Sequence, residues 1–222
     1  GPDPRDRQTL AWAPDDPMPT LRRGAAGLRL AVMPDVERAG VDKEVLAAYD
    51  ASVETLAKLG ARIERVTLPH RFSDYAAATG RIIGAEGYRF VGHLVDDERQ
   101  PVDPHVRPRI QIGRGVSARD YLLALAEREE RSREVAAALA QVDALLTPTA
   151  LTPPIPIEQA DQAGTAAHFT RPVNYLGLCG LAVPNGFTAG GLPTSLQIVA
   201  HAGGEAMALR IGQAYEEATD WK

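Results

Sequence analysis

Apolar positions along the chain follow two periods, and the switches between them mark out the elements. From Leu28 to Met33 the run Leu-Arg-Leu-Ala-Val-Met has strand length and stops at Pro34-Asp35. Val45, Leu46, Tyr49, Val53, Leu56 and Leu59 then fall on one face of a helix that Asp42 caps and Gly60 ends. Residues 61–68 read as the next strand. A strand, helix, strand unit of this length favours a right-handed parallel crossover, so an α/β sheet is the expected frame.

The pattern from Phe72 to Val95 is helical but carries Gly80, Gly84, Gly87 and Gly92, which permit close backbone packing and weaken a helix, so breaks are expected. Arg107 to Gly113 reads as a short turn or helix. Ser117 with Asp120 three residues on makes a capping box that opens a helix to about Gln141. Its apolar markers are Tyr121, Leu122, Leu125, Val135, Leu139 and Val142, with a charged middle turned to solvent. Asp143 to Thr149 is strand-like, and residues 150–164 are a Pro- and Gln-rich loop long enough to line a site.

Phe169 to Leu178 reads as a short helix with Thr170 as N-cap and Pro172 in the first turn, stopped by Gly177 and Gly180. Leu181 to Phe187 is a short strand ending at a bulge or edge. Thr188 to Leu192 supplies a hairpin turn whose two glycines are free to take positive φ. Leu196 to Ala200 is a continuous apolar run, the mark of a strand covered on both faces, although a run this short also suits a buried helix. Glu205 to Thr219 closes the chain as a helix burying Met207, Ile211, Ala214, Tyr215 and Ala218.

Composition narrows the class. With 222 residues and 45% hydrophobic content the chain can bury a substantial core, roughly 70% of its unfolded surface by size scaling. A formal net charge of -5 argues against a nucleic-acid surface, which needs clustered Lys and Arg. The basic run from Arg128 to Arg133 is diluted by Glu127, Glu129, Glu130 and Glu134 and reads as a solvated helix face. Cys179 is the only cysteine, so no intrachain disulfide forms. With neither a signal-peptide pattern nor a long uncharged apolar run, a cytoplasmic protein with no membrane partner is the plain expectation. Residues 1–24, with five prolines, read as an extended linker and residues 25–222 as the α/β portion; Trp12 is expected to anchor the linker in a groove.

Local chemistry is sparse. Histidines 70, 93, 105, 168 and 201 have no metal-site spacing, and no dinucleotide or phosphate loop occurs, so neither metal nor cofactor is expected. Gly115-Val-Ser117-Ala-Arg119 lacks the second glycine of a nucleophile elbow, and Ser117 is better explained as a cap. Cys179, between Leu178 and Gly180-Leu181, reads as a core thiol.

Five motifs stand in order: Asp143-Ala-Leu-Leu-Thr-Pro-Thr149, Phe169-Thr-x-Pro-x-Asn174-x-x-Gly177, Val183-Pro-x-Gly186, Leu192-Pro-x-x-Leu-Gln197-Ile, and Glu205 to Trp221. Together they resemble the C-terminal half of amidase signature enzymes, over nearly the whole chain. The resemblance implies a mixed, largely parallel sheet packed with helices. It also implies hydrolysis or transfer of a small amide through a Ser, cis-Ser, Lys triad set in a Gly/Ser-rich segment that is not among these residues. The implied partner is an N-terminal catalytic half or another copy of the chain, and this chain alone is expected to bind weakly and catalyse nothing.

By the same resemblance Phe169, Thr170 and Asn174 approach the substrate cleft. Arg109 falls where related enzymes acting on acidic substrates place a guanidinium, whose planar fork suits a carboxylate. The competing roles are structural: Arg109 pairing with a helix acid, Asn174 bridging backbone groups, Phe169 in the core. Two other functions remain open, a free-standing non-catalytic α/β binding module and part of a tRNA-dependent amidotransferase that acts on misacylated tRNA.

Overall fold

The computed structural model describes residues 2–7, 9, 16–160 and 165–221. Trp12 lies outside the described residues. In chain order the elements are α1 (Met18–Leu21), β1 (Arg29–Val32), α2 (Lys43–Lys58), β2 (Arg62–Arg65), α3 (Tyr75–Val95), α4 (Arg107–Gln111), α5 (Ala118–Leu139), β3 (Ala144–Pro148), α6 (Thr170–Leu176), β4 (Cys179–Phe187), β5 (Pro193–Ala200) and α7 (Glu205–Glu217). α1 lies within the stretch read as linker and packs on α7. Among the described residues no helix is long and apolar enough to cross a membrane.

The sheet is mixed, in the order β2-β1-β3-β5-β4. β1 runs parallel to both β2 and β3, while β5 is antiparallel to β3 and to β4. The crossover from β1 to β2 is the helix predicted from the apolar face. Asp42 caps it by accepting from Glu44 N at 2.8 Å, and Val45, Tyr49, Ser52 and Leu56 are buried. Tyr49 does more than pack. Met33 N donates to its hydroxyl at 2.8 Å and the hydroxyl donates to Leu146 O at 3.1 Å, next to the last β1/β3 pair, Val32 and Leu146.

Alternation splits the central strands between two cores. Leu145, Thr147, Gln197 and Val199 face the layer of α3, α5 and α6, while Leu146 and its neighbours on β5, Leu196 and Ile198, face α2 and α7. Leu196 to Ala200 are all buried, so the apolar run is a strand covered on both sides. β4 forms an edge with a register shift between Pro184 and Gly186, where the sequence placed its bulge.

Three local expectations change. α3 runs unbroken, and two of its glycines are seats for neighbours: Gly84 lies against the turn of residues 112–115, where an added Cβ would meet Gly113 N at 3.4 Å, and Gly87 lies against Ile110. Thr170 is the first residue of α6, and Phe169 takes the cap position without a side-chain bond. Only Gly191 of the hairpin pair takes positive φ, because the Thr188 hydroxyl closes the turn by accepting from Leu192 N at 3.0 Å.

Two buried phenols set an alkaline limit. Burial pushes both Tyr49 and Tyr75 up to about 12. Unfolded tyrosine ionises near pH 10, so their contribution to stability is complete below about pH 10 and is lost as pH rises through about 12. The melting temperature is expected to fall across that window, with the part of the tyrosinate absorbance that Tyr49→Phe and Tyr75→Phe remove appearing only as the chain unfolds. Ionisation of Tyr49 or Tyr75 well before unfolding would contradict this.

Candidate functional site

α3, α5 and α6 enclose a cleft of about 520 Å³. α3 contributes Thr79, Ile82, Ile83 and Glu86, spaced so that all four share one helix face, and α5 contributes Arg128. Thr170, Arg171, Asn174 and Tyr175 come from α6, with Thr165 and Ala167 at the approach.

α6 is held at both ends. Gly177, in the left-handed region at φ 68°, stops it, and its last carbonyls, which have no partner within the helix, are taken by α5. Arg128 Nε donates to Tyr175 O at 2.6 Å and Ser132 Oγ to Leu176 O at 3.4 Å. At the other end the buried Gln197 of β5 donates to Phe169 O at 3.1 Å and to Thr147 Oγ1 at 2.9 Å.

A buried carboxylate ties the flank. Glu37, 5% exposed, accepts from Arg71 Nε at 2.8 Å and from Phe72 N at 3.2 Å, and its other oxygen lies 3.4 Å from His168 Nε2. One side chain therefore joins the segment after β1, the connection before α3 and the residue preceding Phe169. A separate depression of about 300 Å³ lies beyond the ends of β1 and β2, but its charges pair across it, Arg65 with Asp35 and Arg71 with Glu37.

Thr170 and Asn174 line the cleft, Thr170 half-buried and Asn174 exposed on the rim. Phe169 does not. It is 1% exposed and packs edge-on against Phe72 at 5.6 Å, beneath α6. Arg109 sits half-buried on α4, which packs on α3, and is not among the residues lining this cleft.

Sequence reasoning missed Thr79, Glu86, Arg128 and Tyr175. The basic run on α5 is not wholly a solvated face: Arg128 reaches α6, and Arg131 lies between Glu127 and the Tyr75 ring. Glu86 is fixed by the Tyr121 hydroxyl, which donates to it at 2.8 Å. That bond pushes the Tyr121 phenol up and keeps its proton in place.

The cleft can hold and orient a ligand through hydroxyls, guanidinium groups and one acid. No Ser, Cys or Lys lines it among the described residues. Burial and then Glu205 push the Cys179 thiol up, the opposite of what activates a nucleophile. Among the described residues no group of three His, Cys, Asp or Glu is placed to hold a metal ion.

The family model described as Amidase matches residues 1–209. The A-type polypeptide of the glutamyl-tRNA(Gln) amidotransferase of Geobacter metallireducens is 32% identical over 251 residues, covering 100% of this chain and 51% of that protein. A structure reported as "an unexpected vestigial protein complex" that "reveals the evolutionary origins of an s-triazine catabolic enzyme" superposes with a TM-score of 0.84 at 25% identity, over 100% of this chain and 50% of that one. A bacterial aryl acylamidase of the amidase signature family shares the fold at a TM-score of 0.80 and 19% identity, over 100% and 49%. The chain spans about half the length of the curated relatives it matches.

Proposed function

Because the chain belongs to the amidase family, we propose that it forms the substrate-cleft portion of a C–N hydrolase that opens a small amide by a serine acyl-enzyme route. The observation that carries this is the cleft of α3, α5 and α6, which presents Thr170 and Asn174 together on the motif helix. Beside α6 runs the nine-residue edge strand β4, whose Gly180, Ala182 and Pro184 are exposed. An open edge with small side chains accepts another segment closely. The occupant proposed for it is the segment bearing the Ser, cis-Ser and Lys groups, with a second copy of the chain as the other candidate.

In that chemistry a serine oxygen adds to the amide carbonyl, backbone N–H groups hold the oxyanion, and the C–N bond breaks as the second serine and a neutral Lys pass a proton to the leaving amine. Water then adds to the ester and releases the carboxylic acid and the serine. The residues of this chain bind and orient. Asn174 and Thr170 offer hydrogen bonds at the rim, and Arg109, on α4 and outside the lining of this cleft, is proposed to hold the carboxylate of an acidic amide that extends beyond it.

In the assembled enzyme Arg109→Ala is expected to raise KM for an acidic amide by roughly 10- to 100-fold, the worth of a charge-assisted pair, with kcat and neutral amides unaffected. An unchanged KM removes the anchor.

The test of the function is ammonia release from primary amides by the assembly containing this chain, before and after treatment with a serine-directed sulfonyl fluoride. Inhibition, with a sulfonyl adduct on serine in the intact mass, supports the route. Hydrolysis insensitive to the reagent overturns it. A second reading follows from the similarity to the glutamyl-tRNA(Gln) amidotransferases: there glutamine would be the preferred ammonia source, and hydrolysis would rise with misacylated tRNA. The net charge of -5 favours the simple amidase. A monodisperse chain that hydrolyses nothing in any assembly would instead indicate a non-catalytic binding module.

A further inference from the structure

Gln197 lies in the layer beneath α6, 4% exposed, where its neighbours Leu145, Val199, Phe72, Val135 and Leu176 are apolar. Its amide donates twice, to Thr147 Oγ1 at 2.9 Å and to Phe169 O at 3.1 Å. Thr147 stands opposite it in the β3/β5 register, and Phe169 is the residue from which α6 starts. One side chain therefore bridges three of the sequence motifs: its own, from Leu192 to Ile198, the one ending at Thr149, and the one beginning at Phe169.

Stability alone does not call for this pair. An amide and a hydroxyl in an apolar layer give up their hydration, and replacing both partners of a buried hydrogen bond with apolar groups of the same shape is nearly neutral. What the replacement would lose is direction. Thr170 and Asn174 reach the cleft from α6, a helix of seven residues, too short to hold its geometry alone. Its far end is gripped by Arg128 and Ser132 of α5. Near its start β4 presents Gly180, where an added Cβ would already crowd Val173 Cγ1 at 3.1 Å, so no side chain grips the helix there. The Gln197 amide supplies a hold from the sheet that is set in angle as well as length.

We propose that Gln197 is a positioning residue for substrate binding: through the Phe169 carbonyl it sets the angle at which α6 carries Thr170 and Asn174 into the cleft. This rests on the reading of the cleft as the amide site. Thr147 aims the amide, and neither Thr147 nor Gln197 is among the residues lining the cleft.

The experiment compares Gln197→Met, Thr147→Val and the double variant, with two readouts. The first is hydrogen exchange at the Val173, Asn174 and Tyr175 amides of the 222-residue chain, beside its melting temperature. Gln197→Met leaves the Thr147 hydroxyl buried without a partner and should lower the melting temperature. The double variant removes that hydroxyl and should melt higher than Gln197→Met, close to the parent. Its α6 amides should nevertheless exchange roughly tenfold faster than the parent's, the worth of one buried hydrogen bond, because α6 opens locally. Exchange that returns to the parent rate along with the melting temperature would mean a purely structural role and overturns the proposal. The second readout is KM in the assembled enzyme, with active sites counted by the sulfonyl fluoride. Both Gln197 variants should raise KM for small amides by roughly 3- to 10-fold at unchanged kcat per site, while Thr147→Val, which keeps the bond to Phe169, should leave it near the parent value. A parent-like KM in both Gln197 variants also overturns the proposal. An assembly that hydrolyses no amide counts against the proposed activity, and the exchange result still decides whether Gln197 holds α6.

Discussion

Replacing Gly113 with alanine lowers the melting temperature by roughly 6–12 °C, an overpacking cost of about 3 kcal/mol in a chain of this size. A Cβ there would lie 1.9 Å from Gly84 O, 2.5 Å from Gly84 C and 2.6 Å from Tyr88 Cβ. Two of these are backbone atoms of α3, which no rotamer change can move. The only relief is to separate α3 from the turn of residues 112–115. Because Thr79, Ile82, Ile83 and Glu86 ride on the same helix, amide binding should weaken along with stability. Gly80 is the control: it lies in the same helix with nothing within 4 Å of an added Cβ, so Gly80→Ala should stabilise by about 0.5–1 kcal/mol through helix propensity. Calorimetric melts of the two variants decide the matter, and equal melting temperatures would show that the α3 contact is not tight.

Phe169→Ala is expected to cost about 3–5 kcal/mol, the usual range for removing a buried ring. The ring is sealed under α6 between Phe72 and His168, and the carbonyl of the same residue accepts from Gln197. Loss of the ring leaves a cavity next to Leu145, Thr147 and Val199 that the sheet cannot collapse to fill. At temperatures where the variant stays folded, the assembled enzyme carrying it should keep the parent's KM for small amides. A changed KM with unchanged stability would return Phe169 to the pocket.

These two sites also show what a linear reading can reach. The β1, α2, β2 unit was legible because its signals are local: a short apolar run, a capping Asp42, and a face repeated over 16 residues of helix. The hairpin of β4 and β5 and the stop at Gly177 were legible for the same reason. α3 departs from the expected breaks because Gly84 and Gly87 look like weaknesses until Gly113 and Ile110 are seen to lie on them. The site was harder still. α6 has seven residues, too few for a face to declare itself, so Tyr175 could not be told from any core aromatic. Arg128 lies in a run whose charges look solvated, and only the fold brings the α6 carbonyls to it. Thr170 and Asn174 were reachable because the motif fixes them relative to Pro172 and Gly177. Arg109 depends on how α4 packs, which no spacing encodes.

The hydroxyl of Tyr49 links assembly steps that the chain's order would otherwise keep apart. It takes the amide of Met33, 16 residues before it, and gives its own proton to Leu146, 97 residues after it. A nascent chain that has made β1, α2 and β2 can bury the phenol yet has no acceptor for it until β3 arrives, and a desolvated donor left waiting is unfavourable. Docking of α2 and closure of the β1/β3 seam thus become a single cooperative event. The loop that must close for it is long, which places this step among the slow ones in folding. The β1, α2, β2 unit should therefore stay loose on the ribosome, and commit only when residues around 146 emerge.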